Sequence, residues 1–326
     1  MKEYSVLNSN DKDWDNLINN SEQGSIFVEK SFLESISKNF KRYILKERNV
    51  TKAGIVLLLD KKKNKIISNK LQVYSGILFK HEKNASLTSK INDEIESSKI
   101  LCEYLIKKYN KIEFCTHYNF KDLRPIQWLE FDQKIKNLNI KIKYTGLLNI
   151  ESFNNYRNYT NNNYLILNKN RKEIIRNAER KKIIFKSTFS KDNSYLLESY
   201  KYMIKNNQMA WSKKDINELN NLTNNLLNKD KAVINYISDS DNNIVYSTLY
   251  SWHRDTAYYL YGGKKDKIKN DWSSTISHWE MFKFLSDQKK IKIVDLEGVN
   301  SPKRGHFKTS FGASIFPYYQ IKFRKV

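Results

Sequence analysis

Two passages, Leu105 to Asn119 (LIKKYNKIEFCTHYN) and Leu285 to Asn300 (LSDQKKIKIVDLEGVN), run the same course: the end of a long helix, a short basic turn, then an apolar strand. A helix that returns directly into a strand must lie across a sheet, because both have an apolar face to bury. A chain that does this once in each half is constrained to layers of helix on sheet, built twice. The sequence therefore predicts an α+β fold with mixed sheets, in two tandem domains of one architecture.

The second half reads as a full order of elements. IIFKSTF (Ile183 to Phe189) has the pattern of a strand, and Ser194–Asn207 and Ile216–Lys229 carry apolar residues at helical spacing. Three strands follow, starting at Ala232, Ile244 and Ala257, joined by reversals rich in Asp, Asn and Ser, so an antiparallel meander is expected. Ser274–Lys290 is a helix apolar on most sides and hence buried. It leads to strand IKIVDLEG, a glycine-bearing loop and a last strand, Tyr318 to Phe323. In the first half KRYILKERN, GIVLLLDKK and LQVYSGILF read as strands, Ser89 to Asn110 as a long helix and Lys111 to His117 as the strand behind it. The polar stretch Leu148 to Asn163 is the expected join, giving domains 1–155 and 156–326.

Composition narrows the partners. With 40% apolar and 13% aromatic residues, each half can bury a core. The opening residues lack the apolar core of a leader, and no apolar run approaches the ~18 residues of a membrane span, so a cytoplasmic protein is expected. Cys102 and Cys115 fall in a helix and a strand pattern without C-x-x-C spacing and are expected as buried thiols. The five histidines show no zinc spacing, and no metal is expected. A net charge of +23 points to an anionic partner: tRNA, nucleotide phosphates, CoA or a peripheral contact with a membrane face. After Glu297 there are six Lys or Arg and no carboxylate.

Three constellations carry candidate chemistry. Asn170 to Lys182 as a helix lines up Lys172, Arg176 and Arg180, which is either a solvated face or a phosphate site. In YYLYGGKKDKIKNDWSS (Tyr258 to Ser274) a strand ends at Gly262 and Gly263, Lys264 and Lys265 follow, and a helix begins; helix N-termini receive anions. No Walker or G-x-G-x-x-G pattern is present. Third, Asp295 and Glu297 stand two apart at a strand end, hence on one face. Beyond them EGVNSPKRGHFKTSFG brackets Lys308 with Gly305 and Gly312. A lysine there can neutralise charge on an attacked carbonyl oxygen, and a nearby carboxylate can take a proton from an amine. The acids could instead be tied up by Lys303 or Arg304.

These residues together resemble a known group. RKEIIRNA (Arg171 to Ala178), the YYLYGG strand, Trp279-Glu280, DLEG and FKTSFG (Phe307 to Gly312) are similar, in order and spacing, to the FemAB-type branch of the GNAT acyltransferase superfamily. The resemblance implies two tandem GNAT-like domains. It further implies transfer of an aminoacyl group from aminoacyl-tRNA, or an acyl group from acyl-CoA, to a primary amine of a peptidoglycan or surface-glycan precursor. No tightly bound cofactor is implied. Phe307 and Lys308 fall on the family's Phe-Lys pair at the transfer centre; from the residues themselves, the proton leaves through Asp295, Glu297, the substrate or water. Tyr259, Tyr261, Gly262, Gly263, Lys264 and Lys265 fall where the donor is held. Arg171, Arg176 and Arg304 are candidates for phosphate or acceptor, as are Lys213 and Lys214 in the loop NNQMAWSKKDIN. The [QR]-x-x-G-x-[GA] signature of CoA enzymes is absent, which favours tRNA as donor; the alternatives are an acyl-CoA-dependent amino-sugar N-acetyltransferase and, more remotely, a non-catalytic nucleic-acid-binding protein.

Overall fold

The computed structural model describes residues 3–151, 153, 162–206, 211–264 and 271–326. It divides into two compact units, Met1–Lys143 with Pro317–Val326, and Tyr144–Phe316. The division falls at Tyr144 rather than between 155 and 156, and the last strand belongs to the first unit from Pro317 on. The reason is burial: Ile321 and Phe323 alternate into the first unit's core, which also holds Ile112 and Phe114.

In the first unit, β1 (Tyr4–Asn8) leads through α1 (Asp11–Asn20) and α2 (Lys30–Ile36) to β2 (Phe40–Glu47) and β3 (Val50–Leu59). β4 (Ile66–Ile67) and β5 (Gly76–Phe79) follow; β1, β2 and β3 pair antiparallel in that order, and β4 and β5 both pair with β3. The Asn10 side chain caps α1 by accepting from the Asp13 N–H at 2.8 Å. Trp14 and Leu17 then settle on β3 at Gly54, where any Cβ would come within 2.4 Å of Leu17 Cδ2, so only glycine lets the helix approach this closely. The long α3 (Leu87–Lys108) buries Leu101, Cys102 and Leu105 and runs into β6 (Lys111–Cys115), as the sequence predicts. Burial pushes the Cys102 thiol up to about 12, so it is inert packing. After α4 (Arg124–Phe131) comes β7 (Ile135–Asn149), a strand absent from the sequence expectation although Leu138, Ile140, Ile142 and Tyr144 alternate with Asn137, Asn139, Lys141 and Lys143 in the period of a strand.

The second unit opens with α5 (Asn162–Leu165) and α6 (Lys169–Glu179), then β8 (Lys186–Ser190), α7 (Ser194–Asn206) and α8 (Lys213–Asn228). The meander is β9 (Ala232–Ser238), β10 (Ile244–His253) and β11 (Thr256–Gly263), with β8 antiparallel on β9. α9 (Asp271–Lys289) is buried along much of its length, including Trp279, Met281, Phe282 and Leu285. It feeds β12 (Ile293–Gly298), which is parallel to β11 and antiparallel to the end of β7, Val294 opposite Leu148.

One expectation fails. The glycine-bearing stretch after β12 is not a loop; Pro302–Thr309 forms a helix, α10, followed by β13 (Ser314–Lys325). Pro302 sits at the start of this helix, where its missing N–H is harmless, and Lys308 lies in the last turn, where a cation suits the helix dipole. Gly305 serves packing, since a Cβ there would stand 2.5 Å from the Val299 carbonyl oxygen. Gly305→Ala is therefore expected to destabilise the second unit by about 1–3 kcal/mol despite alanine's better helix propensity, read as a lower urea midpoint at unchanged slope.

Candidate active site

Strands β11 and β12 are in parallel register only from Thr256 opposite Ile293 to Tyr258 opposite Asp295. β11 then continues beside β10 as far as Gly263, while β12 turns away. Two irregularities cause the splay. Glu297 takes a left-handed backbone, φ 58°, and the β12 register against β7 slips between Asp295 and Gly298. A β-bulge between Leu249 and Tyr250 adds twist on the other side of β11. The result is a wedge between Tyr259–Gly263 and Glu297. Positive φ costs a non-glycine residue backbone strain.

Asp295 is 0% exposed. Its carboxylate accepts from the Thr145 hydroxyl at 2.5 Å and from the Glu297 N–H at 2.7 Å, so it pins the backbone that aims Glu297. Glu297 is half-buried, and its Oε1 is shut off from water without a hydrogen-bond partner. Burial pushes this carboxyl well above the usual carboxylate range, against the pull of Lys308 and with the push of Asp295. Lys308 is 9% exposed. Its Nζ donates to the Gly298 carbonyl at 3.2 Å and stands 5.3 Å from the centre of the Tyr259 ring. Burial lowers its pKa, opposed by Glu297 and Asp295. The cation that the two acids face is thus Lys308; Lys303 and Arg304 lie exposed on α10.

Tyrosines wall the wedge. Tyr200 on α7 packs edge-on against Tyr261 at 5.3 Å between ring centres; burial pushes its hydroxyl up to about 12. Tyr259 and Tyr246 share a hydroxyl hydrogen bond. Gly262 has no room for a side chain, as a Cβ would meet the Tyr259 hydroxyl at 2.6 Å and the Ser247 carbonyl oxygen at 2.9 Å.

The other candidates distribute as follows. Phe307 is half-buried beside Lys308 in sequence and lies under the Arg171 guanidinium, 4.5 Å from its ring centre. Arg171 itself is buried, donating to Ser310 Oγ at 2.9 Å and to Thr275 Oγ1, so it belongs to the interior behind α10 and not to the cationic stripe of α6. Burial lowers its pKa. Arg304 is exposed, yet its charge reaches both Tyr200 and Lys308. Gly263 ends β11, Lys264 follows it, and Lys265 lies outside the described residues. Arg176 is exposed on α6; Lys213 and Lys214 are exposed at the start of α8, with Lys214 paired to Glu218 at 3.3 Å. The structure joins Asp295, Glu297, Lys308, Tyr259, Tyr261 and Gly262 in one place and sets Arg176, Lys213 and Lys214 on the surface.

Sequence reasoning missed His278, which is 0% exposed on α9. Its Nδ1 shares a 2.5 Å hydrogen bond with the Tyr250 hydroxyl, and its ring lies 4.6 Å from Tyr259 and 5.4 Å from Phe307. The available signal was a histidine in a helix apolar on most sides. Burial, with Arg171 and Lys308 nearby, holds its pKa well below the usual imidazole value. The folded chain therefore keeps it neutral, while the unfolded chain takes up a proton below about pH 6.5. Stability is expected to fall by up to about 1.4 kcal/mol per pH unit as pH drops below that point. Glu297, raised rather than lowered, works in the opposite sense, adding stability as pH falls through its raised pKa toward the unfolded carboxylate value. Comparing wild type with His278→Gln by urea unfolding at pH 7 and pH 5 isolates the histidine: the variant should lose less stability.

No protein-family model and no curated protein matches the sequence. Solved structures do match, over the whole chain. The crystal structure of FemX superposes with a TM-score of 0.63 at 12% identity, covering 97% of this chain and 96% of that one. The chain folds as FemX does. A conserved protein of unknown function from Bacteroides thetaiotaomicron VPI-5482 gives 0.57 at 11% identity, over 99% of this chain and 100% of that one. A tandem GNAT protein from the clavulanic acid biosynthesis pathway gives 0.52 at 7% identity, over 100% of this chain and 98% of that one. The mixed α/β fold is thus shared with FemX and with the tandem GNAT protein, although little of the sequence is.

Proposed function

We propose that the protein is an N-acyltransferase of FemAB type, moving an aminoacyl or acyl group from an ester or thioester donor to a primary amine of a cell-envelope precursor. The observation that carries this reading is the buried pair of Lys308 and the unpartnered Glu297 Oε1, set where β11 and β12 part. The neutral amine attacks the donor carbonyl, a C–N bond forms, and the oxygen gains charge that Lys308 and the backbone N–H groups of β11 past Tyr258 are placed to hold. Glu297, its pKa raised by burial, takes the amine's proton. The C–O or C–S bond then breaks and the leaving oxygen or sulfur is protonated from water or from Glu297. Asp295 acts through Glu297, by fixing its backbone.

The FemX-like fold supports aminoacyl-tRNA as donor and the tandem GNAT likeness supports acyl-CoA. Mass spectrometry of envelope precursors from cells with and without the gene tests the reading, alongside purified protein given either donor. A precursor pool unchanged in mass, with no transfer in vitro from either donor, would sink it.

A further inference from the structure

The end of β7 reaches the wedge through one side chain. Asp295 stands opposite Leu147 of β7, so Thr145, two residues along, faces the same side and meets it diagonally. In an unbroken ladder Thr145 would stand opposite Glu297. Instead β12 takes three steps from Asp295 to Gly298 where β7 takes two from Leu147 to Thr145, so Gly298 holds that place and Glu297 drops out of the pairing. Its freed N–H turns back to Asp295 Oδ1 at 2.7 Å, and the Thr145 hydroxyl donates to the same oxygen at 2.5 Å. Thr145 and Asp295 are both 0% exposed.

Two buried carboxyls that repel each other do not ionise independently, and their surroundings decide which one keeps the charge. Hydrogen bonds accepted by a carboxylate favour its charged form. Asp295 accepts two on one oxygen, whereas Glu297 Oε1 accepts none. Lys308 of α10 attracts both acids and so does not choose between them. The other groups that face the pair hold their charge state: burial keeps the hydroxyls of Tyr200 on α7, Tyr250 on β10 and Tyr259 and Tyr261 on β11 neutral, and His278 on α9 is neutral too. Arg304 of α10 is an exposed cation that acts on Lys308. What separates the two acids is therefore the pair of donors on Asp295, of which Thr145 supplies one.

We infer that Thr145 assigns the proton within this pair: its hydroxyl keeps Asp295 as the charged acid and so leaves Glu297 as the one that takes and releases a proton. Thr145 is thus a positioning residue acting through Asp295, and the inference rests on the transferase reading for its kinetic consequence alone. Thr145→Val keeps the branched shape that suits a strand and removes the donor. A hydrogen bond to a charged group corresponds to roughly one to two pKa units, enough to let Asp295 compete for the proton. Once protonated, Asp295 no longer repels charge on Glu297, which then stays ionised to lower pH.

The test is an NMR titration of carbon-labelled side-chain carboxyls in the whole chain, without substrate, each resonance being assigned as the one that Glu297→Gln or Asp295→Asn removes. In the unchanged chain Asp295 should stay ionised through the range in which Glu297 titrates. In Thr145→Val the Glu297 midpoint should fall by about one pH unit, or its curve divide into two steps, while Asp295 begins to titrate. Thr145→Ser restores the hydroxyl and should return the wild-type curves. The acid limb of kcat/KM should follow the Glu297 curve in all three proteins. A valine variant that titrates as wild type does, or a serine variant that titrates as the valine one does, would overturn the inference. So would an unchanged chain in which Asp295 takes the proton first, a measurement that needs no variant of Thr145 to fold. Carboxyl curves as expected, with no transfer from either donor, would leave the proton assignment standing and remove the transferase reading.

Discussion

Glu297→Gln is expected to lower kcat/KM roughly 10²–10⁴-fold, the range supplied by a positioned general base. Glutamine keeps the shape and the left-handed backbone but cannot take a proton. The wild-type carboxyl titrates above the usual carboxylate range because it is buried and faces Asp295. Its activity should therefore rise with pH through a limb displaced upward from ordinary carboxylates, and that limb should disappear in the variant. Folding should barely change, since Oε1 has no hydrogen bond to lose. A variant with undiminished kcat/KM and an intact acid limb would remove Glu297 from the chemistry and leave it as a strained turn.

Lys308→Ala is expected to cost about 3 kcal/mol of barrier, roughly 10²–10³-fold in kcat, the scale of one lost oxyanion donor. It should also act on Glu297. Lys308 pulls that carboxyl down, so without the ammonium its pKa rises further and the acid limb shifts to higher pH. Lys308→Met keeps the stem that lies over Tyr259 and separates loss of charge from loss of packing. Full turnover in both variants, or a limb that moves to lower pH, would show that the lysine merely fastens α10 to Gly298.

The two substitutions differ in what they leave behind. Removing Glu297 leaves Lys308 facing Asp295, which already has the Thr145 and Glu297 N–H donors. Removing Lys308 leaves two buried acids with no cation between them, so Lys308→Ala should be the less stable protein of the two. Circular dichroism melts read this ordering without any substrate.

Much of this architecture was legible in the residues. The helix–turn–strand passages at Leu105 and Leu285 returned as α3–β6 and α9–β12, and the meander from Ala232 to Gly263 returned strand for strand. Local periodicity encodes these elements, and burial of one face makes periodicity visible. It is present in β7 too, where Leu138, Ile140, Ile142 and Tyr144 alternate with polar residues, and it fails for α10, where three glycines in sixteen residues imitate a loop. Gly305 is in that helix because of the Val299 carbonyl, a neighbour that spacing within the segment does not reveal.

The sequence by itself determined the order of elements from β8 to β12, the doubled layout and the short set DLEG and FKTSFG that bears the acids and the lysine. Only the tertiary structure decided that Glu297 and Lys308 are shut away from water together, that Arg171 points inward, and that His278 stands neutral behind them. The physical reason is that a side chain's type is local, whereas its desolvation and the charges it faces are set by elements distant in the chain, here α6, α9, β12 and α10 brought together by the splay of one strand pair.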